Sequence, residues 1–160
     1  MRDAIEGGAI ILAALLVYTA LHQISASLLV AVNIFSVAVI LFGLAKGETA
    51  GALMGTACGL IVDSFSLGIF GIAGFAGTVT GFTTGYVSRK INVLPLGRLF
   101  VFIGLMGTLN LSLWTLFTSV FFGEGIPWNR GLMLAQPLLT AFLGTLAVVL
   151  YRKIKVLRER

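Results

Sequence analysis

The sequence predicts an all-α integral membrane protein with six transmembrane helices and both termini on the cytoplasmic side. Hydrophobic residues make up 58% of the 160 residues, charged residues only 11%, and the mean hydropathy is +1.05. A soluble domain carries about 25% charged residues, so this chain could not cover its own surface in water. A membrane-spanning helix needs about 20 mostly apolar residues, so six of them use about 120. We therefore expect residues 1–160 to form a single transmembrane helical domain.

The first three predicted helices are separated by short polar breaks. Positions 7–45 contain no Lys, Arg, Asp or Glu. As one helix this stretch would be about 60 Å long, about twice the hydrocarbon thickness of a bilayer. The polar residues at 22–25 therefore mark the expected turn. We predict helix one over 6–22, helix two over 26–45 and helix three over 49–62.

The second half of the chain continues the pattern. We predict helix four over 69–87, helix five over 99–122 and helix six over 132–151. The loop between the last two helices contains Trp128, a residue suited to the headgroup region of a bilayer.

The distribution of Lys and Arg orients this layout. The predicted outer loops contain only Arg130, whereas the predicted cytoplasmic segments contain the other ten basic residues: Arg2, Lys46, Arg89, Lys90, Arg98, Arg152, Lys153, Lys155, Arg158 and Arg160. Such an excess follows the positive-inside rule and supports six crossings with both termini inside. Topology and anionic lipid also explain the net charge of +5, so the expected partner is the lipid bilayer and not nucleic acid.

Two series of glycines lie four residues apart on consecutive predicted helices. They are Gly51, Gly55 and Gly59 on helix three and Gly77, Gly81 and Gly85 on helix four. A four-residue step turns a helix by about 400°, so each series forms a slowly drifting groove. Small residues allow membrane helices to approach closely. We predict that helices three and four pack against each other or their neighbours. The open alternative is that one groove accepts a partner's helix. Whether the chain forms an oligomer is left open by the sequence.

Asp63 is the one acidic residue within or beside a predicted membrane segment, away from the short loops. A charged Asp at the bilayer centre costs about 2.5–3.5 kcal/mol on insertion scales, and less toward the interface. Compensation is therefore expected. We predict a structural role, in which the carboxylate accepts hydrogen bonds from backbone N–H groups at the start of helix four. A proton-relay or substrate role is the alternative.

Three amide side chains fall inside predicted helices: Asn33 in helix two, Asn110 in helix five and Gln136 in helix six. Such groups hydrogen-bond across helices in membranes, typically for about 1–2 kcal/mol or less. We predict that they are buried and structural, and the alternative is that they line a ligand cavity.

No pattern in the sequence indicates catalysis or a cofactor. Cys58 is the only cysteine, so an internal disulfide is impossible. His22 has no second ligand at a spacing that would hold a metal. No His-Glu-x-x-His, Gly-x-Ser-x-Gly or phosphate-binding loop occurs. The sequence therefore predicts a protein that is not an enzyme, without catalytic residues, metal or cofactor.

The central segment resembles the rod shape-determining protein MreD family. The shared pattern is a glycine-spaced helix closing in Gly-Leu-x-x-Asp, a short loop ending in Leu-Gly, and a second glycine-rich helix. The matching residues are Lys46-Gly47-Glu48-Thr49-Ala50-Gly51, Met54-Gly55, Gly59-Leu60-Ile61-Val62-Asp63 and Leu67-Gly68. The chain departs from the pattern at Ser25-Ala26-Ser27, where the second helix of MreD-like chains often opens with a proline and an acidic residue.

The resemblance implies a non-enzymatic, multi-pass subunit of the bacterial cell-elongation complex in the inner membrane. Such a subunit supports cell shape and peptidoglycan synthesis. Its expected partner is the bitopic membrane protein MreC and, through it, the actin-like MreB and the peptidoglycan synthases.

Two other functions remain open. The predicted layout is similar to that of substrate-binding subunits of energy-coupling-factor vitamin transporters. These commonly carry Ala-x-x-x-Ala in helix one, and Ala9 and Ala13 fit that spacing. The other alternative, a small ion or lipid carrier, depends on Asp63 and the buried amides.

Overall fold

The computed structural model describes residues 2–24, 33–65, 70–93, 95–122 and 131–158. Within these ranges the chain forms six α-helices and no strand, which confirms the predicted all-α class. The helices are α1 (Arg2–Ile24), α2 (Ile34–Lys46), α3 (Glu48–Phe65), α4 (Ile72–Lys90), α5 (Leu96–Phe122) and α6 (Gly131–Arg158). Each corresponds to one of the helices predicted from hydropathy, in the same order.

The start of α2 corrects one prediction. Asn33 is the N-cap of this helix, and its side-chain oxygen accepts a hydrogen bond from the Ser36 N–H at 3.0 Å. The prediction that Asn33 lies inside helix two is therefore wrong, because its amide satisfies an unpaired N–H of the first turn. Residues 26–32, where that helix was predicted to begin, lie outside the described residues.

The helices pack around a central group of three. α3 and α4 are antiparallel and share the most extensive interface, and α2 packs on both of them. α5 and α6 pack against each other, and both also contact α2. α1 lies at the edge of the bundle, mainly against α2. α2 is therefore the helix that contacts most of the others.

The apolar core follows from this arrangement. One cluster joins α1, α2 and α3 and consists of Ala14, Phe35, Ala38, Val39, Phe42, Met54 and Cys58. A second cluster joins α2 and α5 and consists of Ile40, Leu99 and Ile103. Several buried positions are polar, and the hydroxyls of Thr80 and Thr84 donate to the carbonyls of Ala76 and Thr80, four residues earlier in α4.

The outside of the bundle is apolar. Large hydrophobic side chains are exposed on α1, α3, α4, α5 and α6, and Leu16, Leu53 and Val120 are each at least 70% exposed. By length and hydropathy, Leu96–Phe121 is the one helical segment among the described residues that could cross a membrane. Shorter apolar helical segments occur at Ile5–Ala20, Ile34–Lys46 and Ala135–Leu150.

Candidate functional site

The two predicted glycine series face each other across the α3–α4 interface. Gly51 lies opposite Gly81, and Gly55 lies opposite Gly77. A Cβ atom on Gly77 would stand only 2.5 Å from the carbonyl oxygen of Gly55, and a Cβ on Gly55 or Gly81 would overlap the opposing backbone. The two backbones are therefore in direct contact, and a side chain at these positions would separate the helices.

The ends of the two series meet other parts of the same hairpin. Gly59 packs against Ala73 and Gly74, and Gly85 packs against Gly47 and the start of α3. All six predicted glycines thus pack within the chain, and the grooves they form are filled by α3 and α4 themselves. A groove left open for a partner helix is not found at these positions.

Sequence reasoning missed two further glycines of this interface. A Cβ on Gly43 of α2 would stand 3.0 Å from the carbonyl oxygen of Gly81, so a third backbone approaches the same point. Gly47 links α2 to α3 with φ +96°, a left-handed conformation that a side chain would strain. The spacing of Gly43, Gly47 and Gly51 continues the four-residue series toward the N-terminus, and this signal could have revealed them.

Asp63 joins the end of α3 to the start of α4. Its Oδ2 accepts hydrogen bonds from the N–H groups of Gly71 and Gly74 at 2.9 and 3.1 Å. Its Oδ1 accepts one from the N–H of Ala73 at 3.1 Å. Gly71, the N-cap of α4, has no side chain to satisfy these N–H groups, so a carboxylate from the preceding helix does so. The negative charge also lies at the positive end of the α4 dipole.

Charged residues hold the opposite end of the hairpin. The Arg89 Nη1 near the end of α4 lies 2.9 Å from the Glu48 Oε1 in the first turn of α3. In the same region, the Lys46 Nζ on α2 lies 2.6 Å from the Glu6 Oε2 on α1. The sequence analysis used Lys46 and Arg89 as topology signals, whereas the structure shows that both also connect neighbouring helices.

A cavity of about 290 Å³ lies in the half of the bundle nearer Asp63. The three amides singled out in the sequence all line it, although they come from the N-cap of α2 and from α5 and α6: Asn33, Asn110 and Gln136. Asn110 Nδ2 also donates a hydrogen bond to the Ser36 Oγ at 3.3 Å. Asp63 does not belong to the lining residues.

The other walls of the cavity are aromatic, apolar or backbone. Tyr18 and Trp114 contribute aromatic rings, and Cys58 contributes the chain's one thiol. Gly55 and Gly77 of the hairpin interface also line the cavity. The close packing of α3 on α4 therefore shapes one of its walls.

Metal-binding groups do not assemble in the part of the chain that the structure describes. No three His, Cys, Asp or Glu side chains there come together as a metal would require. The side chain of His22 lies outside the described residues.

Comparisons with known proteins add no relative. No protein-family model, curated protein sequence or solved structure matches this chain. The class that the fold itself defines is an all-helical bundle with an apolar exterior, a glycine-packed central hairpin and an amide-lined cavity.

Proposed function

We propose that this chain is a multi-pass protein of the bacterial inner membrane, with six crossings and both termini in the cytoplasm. Two independent features support the proposal. Large apolar side chains face outward on five of the helices, where lipid would solvate them at no cost. The basic residues also divide ten to one between the two predicted faces.

Within that membrane we propose a non-enzymatic subunit of the cell-elongation complex, related to MreD, that binds an MreC-like bitopic protein. Through this partner it would connect to MreB and to the peptidoglycan synthases. The observation that carries the proposal is the α3–α4 hairpin. Matching residues of the MreD-like segment, including Gly51, Gly55, Gly59 and Asp63, hold the hairpin together. A rigid hairpin built from the shared residues suits a scaffold.

Because the glycine grooves are filled, the surface that binds the partner lies elsewhere on the bundle. Since α3 and α4 use their glycines on each other, an MreC-like helix would dock on an outward face of the bundle. α1 is a suitable place because it lies at the edge and exposes Leu12, Leu16 and Val17.

A detergent pull-down of the full chain, followed by mass spectrometry, tests this function. We expect an MreC-like bitopic protein and cell-wall synthases to be recovered. As a matched pair, Leu16→Trp on the exposed face of α1 should reduce recovery, whereas Leu146→Trp on the exposed face of α6 should not. Recovery of neither MreC-like proteins nor synthases would refute the proposal.

The transporter alternative has one observation in its favour. Ala9 and Ala13 are both exposed on α1, so their backbone is accessible to a helix of a coupling subunit. Recovery of paired ATPases in the same pull-down would support it. The carrier alternative is weakened because the carboxylate of Asp63 accepts three backbone hydrogen bonds.

A further inference from the structure

The amide-lined cavity is a feature that a scaffold does not need. It has a volume of about 290 Å³. Its walls come from residues far apart in the sequence, including Tyr18 of α1, Asn110 and Trp114 of α5 and Gln136 of α6. A space bounded by so many elements is kept open by the fold as a whole.

The amides provide hydrogen-bonding groups that the chain does not fully use. Gln136 has no hydrogen-bond partner among the described residues, and it lines the cavity half-buried. Asn110 uses its Nδ2 on Ser36 and has no protein partner for its Oδ1 within the described ranges. An amide presents both donors and an acceptor, so the two side chains can pair with a ligand that carries the complementary groups.

The described lining of the cavity is neutral, so a neutral ligand is expected. No Asp, Glu, Lys or Arg occurs among the described residues that line the cavity. An ion placed there would lose its hydration without gaining a countercharge, which is costly in an apolar interior. Trp114 adds a flat aromatic surface and an indole N–H donor.

We propose that this cavity is a binding site for a neutral, planar small molecule with an amide-like edge of donors and acceptors. Asn110 and Gln136 bind that edge, and Trp114 packs on the face of the ring. Gly55 and Gly77 contribute part of another wall, which the close packing of α3 on α4 forms. The site is distinct from the outward surface proposed for the protein partner, and its existence does not depend on that partner.

Benzamide is a suitable probe because it is neutral, planar and ends in a primary amide. Benzoate has nearly the same shape with a negative charge, and toluene has the ring without the amide. For this experiment the substitution Trp128→Phe is introduced into the purified full chain, so that Trp114 is its one tryptophan. We expect benzamide to shift the Trp114 emission saturably and to raise the thermal unfolding midpoint. Benzoate should do neither at the same concentration, and toluene should bind at least threefold more weakly.

Two lining variants and one matched control locate the site. Gln136→Leu and Asn110→Leu should each weaken benzamide binding about three- to tenfold while binding of toluene is kept. Thr108→Val, an exposed polar-to-apolar change on α5, should bind benzamide as the parent does. Gln136 makes no hydrogen bond within the described chain, so Gln136→Leu keeps the test valid even if Asn110→Leu fails to fold.

Three results would overturn the proposal. Absence of any saturable response to benzamide would show that the cavity takes no ligand of this class. Equal binding of benzoate would contradict the neutral lining as the source of selectivity. Equal binding of toluene, or full benzamide binding by Gln136→Leu, would show that the amides do not recognise the ligand. The pull-down reports on the partner separately, so failure of one proposal is distinguishable from failure of the other.

Discussion

Asp63 shows how one residue can satisfy two requirements at once. The side chain is buried, 6% exposed, and carries a potential charge into a largely apolar bundle. Its oxygens accept hydrogen bonds from three backbone N–H groups at the start of α4, which would otherwise be unpaired. The N-terminus of α4 therefore stabilises the carboxylate, and the carboxylate completes α4.

This arrangement predicts a graded response to substitution at Asp63. Asp63→Asn keeps one acceptor oxygen and should cost about 1–2 kcal/mol of stability. Asp63→Leu leaves all three N–H groups unsatisfied and should cost about 3 kcal/mol or more. Thermal unfolding of the purified protein in detergent measures both changes.

Ser64→Ala is the matched control, because Ser64 is exposed and its hydroxyl donates to the carbonyl of Leu60 within its own helix. It should unfold close to the parent. If Asp63→Asn proves as damaging as Asp63→Leu while the fold is retained, the charge itself is required and a relay role regains support.

At the scale of elements, the α3–α4 hairpin depends on backbone contact. Helices in a membrane gain little from burying apolar side chains, because lipid is equally apolar, and they gain from close packing of small residues. Thr56 and Thr78 add a hydroxyl–hydroxyl bond of 2.7 Å across the same interface. The hairpin is also joined at both ends, by Asp63 at one and by Glu48 with Arg89 at the other.

The glycine contacts predict that even one added methyl group destabilises the hairpin. Gly55→Ala places a Cβ against the backbone of Gly77, so the helices must separate. We expect a loss of about 2 kcal/mol or more, as for overpacking elsewhere, and a larger loss for Gly55→Leu and Gly81→Leu. Thermal unfolding in detergent provides the measurement.

Gly97→Ala is the matched control, since nothing lies within 4 Å of a Cβ at that position in the first turn of α5. It should leave stability unchanged or raise it by up to about 1 kcal/mol, the usual gain of Ala over Gly in a helix. Full stability of both Gly55→Leu and Gly81→Leu would contradict the packing described for α3 and α4.

At the scale of the whole molecule, the bundle is apolar outside and polar at selected points inside. Exposed Phe75, Phe82, Leu105 and Phe142 lie on three different helices. The interior contains Thr80, Thr84 and Thr140, each less than 2% exposed. An apolar exterior with buried polar side chains is compatible with a lipid environment.

The proposed topology makes a prediction about accessibility. In a Cys58→Ala background, Asn92→Cys should react with a membrane-impermeant thiol reagent only from the cytoplasmic side, and Ile126→Cys only from outside. Asn92 is chosen because it is exposed in the loop after α4, whereas the neighbouring Val93 is buried. Labelling of intact cells and of inverted vesicles measures the two sides.

Lys153→Cys is the control for the C-terminal side and should label as Asn92→Cys does, because its exposed side chain lies in the basic end of α6. Reaction at position 126 from the cytoplasm, or at position 92 from outside, would exclude six crossings with both termini inside.

The sequence by itself determined the helical class, the order of the helices and the presence of a glycine-packed pair. These properties depend on local signals: apolar runs of helical length, and glycines spaced so that they share one face of their own helix. The same local reasoning placed Asn33 inside a helix, because hydropathy does not reveal the capping hydrogen bond that marks where the helix begins.

Only the tertiary structure decided which groups meet. The register of α3 on α4, the third backbone at Gly43 and the gathering of Asn33, Asn110 and Gln136 around one cavity all join distant parts of the chain. Such contacts depend on the angles and distances between helices, which sequence periodicity does not specify. Periodicity identifies the face that a helix buries, whereas the packing of all six helices determines what lies against that face.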